Sequence, residues 1–183
     1  IGVALSANEM DIQDEEGQSV PEGERGEIVV RGVNVMKGYY KNREANESAF
    51  KNGWFRTGDE GFIKKDGDGT PYFFITGRLK ELIIRGGINL APLEIDEVIN
   101  RAPGVKAGIA VGFQNDWYGE EIGAYVQLKE GVENDEQAIL AYCRQQLPFS
   151  KAPKVVVFGD ELPVTSTGKY QRLKVAHLFE QWS

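Results

Sequence analysis

The sequence predicts an α+β protein, and three observations predict it. Residues 1–75 set β-branched runs between glycine turns, the pattern of short strands. From about residue 79, strand-like runs alternate with apolar-striped helical segments, so a small α+β or α/β unit is expected there. The 22 glycines are spread along the chain, as tight turns between short elements require.

Each element has its own warrant. GEIVVRG (26–32) has a β-branched centre bounded by glycines and reads as a strand. REANESAF (43–50) is polar apart from Ala45, Ala49 and Phe50 and suits a short helix. Residues 59–76 read as strand, turn, strand, with DGDG as the turn because Gly and Asp tolerate positive φ. ELIIR (81–85) is a strand. PLEIDEVINRA (92–102) is a helix with Pro92 at its first position and Ile95, Val98, Ile99 and Ala102 on one face. VKAGIAVGF (105–113), EIGAYVQL (121–128) and KVVVF (154–158) are strands. NDEQAILAYCRQQL (134–147) is a helix capped by Asn134, with Gln137 at the capping-box position. The tail from about Lys169 to Trp182 reads as a helix with Val175, Leu178, Phe179 and Trp182 on one face.

Composition narrows the function classes. With 183 residues, one ordinary domain or one and a half small ones is expected. The net charge of −7 offers no bulk attraction to nucleic acid or anionic membrane, so any anionic ligand needs locally placed Lys and Arg. One cysteine and one histidine exclude a disulfide within the chain and a Cys/His zinc site, and fit a reducing, cytoplasmic setting. No apolar run reaches transmembrane length. Residue 1 is Ile, so a piece of a longer protein is expected.

Three stretches carry candidate chemistry. In GWFRTGDEGFI (53–63), Asp59 between a glycine turn and a strand can accept from a diol, as acidic residues do with a nucleotide ribose, or can simply satisfy its own turn. In ITGRLKELIIRGGINLAPLEID (75–96), Arg78 and Lys80 flank Leu79 and would point the same way in an extended segment. Arg78 offers a rigid fork for hydroxyl or phosphate oxygens, and Gly86 and Gly87 permit close approach of backbone to a ligand; the plain alternative is a basic strand end and a Gly-Gly turn. In LPVTSTGKYQR (162–172), Lys169 follows Gly168 on a loop and could meet an anion. Pro163 stands where a P-loop needs its first glycine, so this is not a P-loop; the plain alternative is a helix cap at Ser166 or Thr167. Cys143 shares a helix face with Ile139, Leu140 and Leu147 and reads as a buried small hydrophobe. His177 reads as structural, and the DGDG turn lacks the downstream carboxylate of an EF-hand.

In this order and spacing, the three stretches resemble the C-terminal part of the adenylate-forming superfamily, which holds acyl-CoA synthetases, peptide-synthetase adenylation domains and beetle luciferases. The resemblance covers nearly the whole chain. It implies that residues 1–78 are the incomplete, β-rich end of a large N-terminal domain. Residues 79–183 would be the small mobile C-terminal AMP-binding domain, with a short mixed sheet and packed helices. It further implies acyl-adenylate formation from ATP, rotation of the small domain, and displacement of AMP by a thiol. Asp59 is expected to bind the ribose hydroxyls and Arg78 to reach ribose and phosphate. Lys80 falls at the hinge, Gly87 on the loop lining the pantetheine tunnel, and Lys169 is expected to be the catalytic cation of adenylation. No ligand contact is assigned to Gly86 or Asn89. ATP or AMP, Mg²⁺ and CoA are the implied cofactors and co-substrates.

The phosphate loop, adenine-stacking motif, acyl pocket and Mg²⁺ ligands of the family are not in this chain, so the isolated fragment is expected to be inactive, and its truncated β-rich part to self-associate through open edges. An acyl- or aryl-CoA ligase is the leading expectation, partly because Lys80 at the hinge is similar to many CoA ligases. A stand-alone enzyme loading a carrier protein, or a non-catalytic nucleotide- or partner-binding module, are the alternatives.

Overall fold

The first strand is one that the sequence does not announce. NEMDIQ has little β-branched character, yet it forms β1 (Asn8–Gln13) by pairing antiparallel with β2 (Gly26–Gly32), residue for residue from Asn8↔Gly32 to Gln13↔Glu27. The computed structural model describes residues 2–166 and 168–183, and the chain forms two compact units, Ile1–Lys80 and Glu81–Ser183.

The first unit is one antiparallel sheet. Helix α1 (Arg43–Ala49) is where the sequence places it, capped by the Asn42 carboxamide, which accepts from the Ala45 amide at 3.0 Å. A short β3 (Phe50–Lys51) turns back into the long β4 (Trp54–Lys65), which pairs with β2 and with β5 (Pro71–Arg78). The DGDG turn forms as expected: Asp66 Oδ1 accepts from the amides of Asp68 (3.0 Å) and Thr70 (2.9 Å), the local bonding that makes Asp a turn residue. The core is thin, with Ile12, Ile28 and Phe73 buried and Met10, Val20 and Ile63 packed against them. Tyr72, Phe74 and Ile75 of β5 stay exposed.

The second unit is a mixed sheet covered on both faces. β6 (Ile83–Arg85), β7 (Ile88–Leu90), β8 (Val105–Asn115), β9 (Gly119–Leu128) and β10 (Val155–Phe158) pair in the order β10-β9-β6-β7, with β8 also on β9. Only the β9–β10 pairing among these is parallel. On one face, α2 (Pro92–Ile99) and α3 (Glu136–Gln146) bury Ile95, Ile99, Ile139, Leu140 and Cys143 against Ala110, Ile122, Ala124 and Val126. On the other, Ile109, Val111, Phe113, Tyr125 and Val155 pack against Val175 and Phe179 from the tail. Strands buried on both faces read as continuous apolar runs rather than alternating ones, which is why IAV (109–111) and VVVF (155–158) look as they do.

Three expectations are corrected here. The cap of α3 is Asp135, whose carboxylate accepts from Ala138 N at 2.9 Å, and not Asn134. The segment after Arg78 is not extended: Leu79–Glu81 is a 3₁₀ turn, so strand alternation does not put Arg78 and Lys80 on one side. The tail is not an α-helix from Lys169. It is two 3₁₀ segments, Arg172–Lys174 and Ala176–Trp182. Residues three apart eclipse in a 3₁₀ helix, which lines up Ala176, Phe179 and Trp182; Val175 and Phe179 are buried as expected, while Leu178 and Trp182 are exposed. Ser166 starts no helix, and Thr167 lies outside the described residues.

Cys143 is fully buried, and burial pushes its thiol up to about 11. Because the thiolate is the nucleophile, alkylation in mildly alkaline buffer should be slow in the folded chain and fast once denaturant is added. Mass spectrometry of timed iodoacetamide reactions checks this; rapid labelling without denaturant would contradict it.

Candidate functional site

In the first unit, Asp59 and Arg78 face each other directly across β4 and β5. The Arg78 guanidinium holds the Asp59 carboxylate at Nε to Oδ1 2.9 Å and donates from Nη1 to Thr57 O at 3.0 Å. Register shifts flank the pair, between Glu27 and Val29 on β2 and between Glu60 and Gly61 on β4; such irregularities re-aim a side chain out of the regular ladder. The backbone under Asp59 is held from below. Buried Glu27 accepts from Gly58 N at 2.9 Å and from Arg56 Nε at 2.6 Å, while Thr57 Oγ1 donates to Ile28 O at 2.6 Å and accepts from Asp59 N at 3.1 Å. The pair itself is not sealed: its side chains are 41% and 22% exposed, so a ligand can reach both. An accepting carboxylate beside a planar donor fork suits a vicinal diol next to a phosphate.

In the second unit, Gly86 and Gly87 make the two-residue turn from β6 to β7, with φ of +59° and +78°. Two positive φ values in a two-residue hairpin demand residues without a Cβ penalty. Open space surrounds Gly87, where a Cβ would meet no atom within 4 Å. Gly86 N donates to Tyr118 O at 2.8 Å. Beside the turn, buried Arg85 grips Glu121 with two bonds of 2.6 and 3.0 Å and lies 4.3 Å from the Tyr118 ring.

Lys169 sits on a hairpin loop. Val164 bridges Tyr170, Gln171 N donates to Pro163 O (2.8 Å), Thr165 N to Lys169 O (2.8 Å), and Lys169 N to Thr165 Oγ1 (3.1 Å). Gly168, at φ +79°, supplies the left-handed residue that closes the loop. Lys169 is exposed, and its ammonium makes no ion pair among the described residues. Its backbone is therefore pinned while its charge remains available. Lys80 is exposed in the 3₁₀ turn at the end of the first unit.

One residue that sequence reasoning passed over stands out. Arg172 is 5% exposed and reaches Asp96 on α2 with two bonds, Nη1 to Oδ1 2.9 Å and Nη2 to Oδ2 2.5 Å. It also donates to Ala110 O (3.1 Å) and to Glu81 Oε2 (3.2 Å). Burial pushes the Asp96 carboxyl up from its ordinary range, against the opposing pull of Arg172 and of the Ala110 amide. The only sequence signal was a charged residue within the apolar pattern of the tail, with no hint of a partner so far away.

The chain matches the family model of the AMP-binding enzyme C-terminal domain over residues 94–169 and that of the AMP-binding enzyme over residues 1–40. It is 46% identical over 171 residues to the probable CoA ligase CCL9 of Humulus lupulus, covering 93% of this chain and 32% of that protein. It is 48% identical over 161 residues to the sulfoacetate–CoA ligase of Cupriavidus necator, covering 87% and 31%. The chain belongs to the adenylate-forming, AMP-binding enzyme superfamily. Within that superfamily, the solved structure of ATP-bound MatB from Rhodopseudomonas palustris matches with a TM-score of 0.86 at 36% identity, over 100% of this chain and 36% of that one. The chain spans about a third of the length of the curated relatives it matches. No helix among the described residues is long and apolar enough to cross a membrane.

Proposed function

We propose that this chain is the C-terminal part of an ATP-dependent carboxylic acid–CoA ligase that works through an acyl-adenylate. The observation that carries the reading is the Asp59–Arg78 pair, built on a braced backbone yet open to a ligand, in a chain that also presents a backbone-pinned Lys169 with no ion pair among the described residues. The CoA-ligase names of its relatives support the choice of acceptor.

In the first step a carboxylate oxygen attacks the α-phosphorus of ATP, and pyrophosphate leaves with the electron pair of the broken P–O bond. Lys169 supplies a fixed cation between the attacking carboxylate and the α-phosphate oxygens, stabilising charge as it develops rather than carrying a proton. Asp59 accepts from the ribose hydroxyls. Arg78 holds Asp59 in place through the Nε–Oδ1 contact of 2.9 Å and directs its remaining donors at ribose and phosphate oxygens. In the second step the CoA thiol attacks the acyl carbon and AMP departs with the former carboxylate oxygen. Lys80 serves as the hinge at which residues 79–183 turn as the small mobile domain against the domain that ends at residue 78, and the Gly87 turn, which has open space around it, lines the path of the pantetheine arm. Among the described residues there is no group of three or more His, Cys, Asp or Glu that could hold a metal ion.

The test is pyrophosphate release by the longer protein across a panel of carboxylic acids, with and without CoA. Acid-dependent release together with an acyl-CoA product is the expected result. Acid-dependent release without an acyl-CoA product would instead mark a carrier-loading enzyme, and no release with any acid would favour a non-catalytic binding module.

A further inference from the structure

The lysine loop is held to the sheet from its two ends. Between the end of β10 at Phe158 and the tail segment that begins at Arg172, the described residues form no helix and only the single Val164–Tyr170 bridge. The bonds of the hairpin are local and fix its shape. Its N-terminal side is tied to β9, where Val126 O accepts from Gly159 N at 3.0 Å and the side chains of Gln127 and Tyr125 donate to Asp160 O (2.5 Å) and Glu161 O (3.2 Å), and Leu162 packs on the core. On its C-terminal side, the attachment comes from Arg172. It uses four of its N–H donors on three separate places: Asp96 on α2, Ala110 on β8, and Glu81, the first residue of the second unit. Asp96 is itself tied to β8, accepting from Ala110 N at 2.6 Å. A guanidinium presents five donors in a rigid plane, which an ammonium cannot copy.

We infer that Arg172 is a positioning residue: through Asp96, Ala110 and Glu81 it locks the Lys169 loop to the body of the second unit, so that the lysine moves with that unit as one piece. The inference rests on the role proposed for Lys169. The physical need is plain. A cation that stabilises a transition state must be placed to within a fraction of an ångström, and a misplacement of about 1 Å costs on the order of 10²-fold in rate. Lys169 has an exposed, flexible side chain, so the precision must come from its backbone, three residues from the clamp. The bond to Glu81 adds a second consequence, because the residue after the expected hinge and the lysine loop are held by the same guanidinium.

The test uses Arg172→Lys, which keeps the charge and loses the fork, in the longer protein. ATP–pyrophosphate exchange should fall by on the order of 10²-fold, while thioester formation from supplied acyl-adenylate changes little. The double variant Arg172→Lys with Lys169→Ala should be no slower than Lys169→Ala alone, because the clamp acts through the lysine. Equal loss in both half-reactions, or additive losses in the double variant, would overturn the inference and leave Arg172 a general stabilising residue. Hydrogen exchange gives a second arm that needs no activity. In Arg172→Lys the amides of Thr165, Gly168 and Lys169 should exchange faster, with those of β8 and β9 unchanged; unchanged hairpin amides, or fraying of β8 and β9 instead, would contradict it. If Lys169→Ala has no effect on exchange of pyrophosphate, the proposed function fails, and the hydrogen-exchange arm still decides whether Arg172 anchors the loop.

Discussion

Lys169→Ala should lower the adenylation half-reaction by about 10²–10³-fold, the range seen when one preorganised oxyanion donor is removed, and should leave thioester formation from supplied acyl-adenylate largely intact. Lys169 is well suited to this experiment because it contributes little to the fold. Its side chain is exposed and unpaired among the described residues, and the hairpin bonds at its position come from its backbone. Alanine keeps those backbone groups, so a rate change reports the loss of the cation and not of the loop. The two half-reactions separate because the lysine is proposed to act only where negative charge builds on carboxylate and α-phosphate. Measuring ATP–pyrophosphate exchange beside acyl-CoA formation from synthetic adenylate reads both; an equal fall in each would end the division of labour between the lysine loop and the Gly87 turn.

Phe179→Ala should produce the largest loss of stability. Phe179 has no exposed surface and closes one face of the mixed sheet, stacking on Phe113 at 5.6 Å between centroids and touching Trp182 at 6.3 Å. The fit is close: a Cβ placed on Gly123 of β9 would lie 2.3 Å from its ring. Truncating a buried phenylalanine costs about 3–5 kcal/mol through lost transfer energy and the cavity left behind, a large part of a single small domain's stability. Denaturant titration followed by hydrogen exchange of the β8 and β9 amides reads the loss in the second unit. A change under about 1 kcal/mol would mean the tail does not close the core in solution.

What the sequence disclosed follows from how local each signal is. The β-branched centre of 26–32, the apolar stripe of 92–102 and the Cys143 face of α3 are written in residues a few positions apart, and the structure has them in place, although α2 itself ends at Ile99. β1 was invisible because NEMDIQ becomes a strand only by pairing with β2. The tail kept its buried face, Val175 and Phe179, but not its helix type, since periods of 3.0 and 3.6 residues barely differ over so short a stretch. At the site, Asp59 and Arg78 were legible one at a time as ligand groups. Their pairing across the sheet depends on the β4–β5 register and was not. Arg172 was the least legible, because its partner Asp96 lies 76 residues away.

Transfer of a carboxylate oxygen to AMP is the direct signature of the proposed acyl-adenylate intermediate. The longer protein is given a carboxylic acid labelled with ¹⁸O in its carboxylate, with ATP and CoA, and the AMP is weighed by mass spectrometry. Attack of the carboxylate oxygen at the α-phosphorus, followed by departure of AMP from the acyl carbon, predicts one labelled oxygen in AMP and none in pyrophosphate. Acyl-CoA formed with unlabelled AMP, or with the label in a phosphate released alongside ADP, would contradict it.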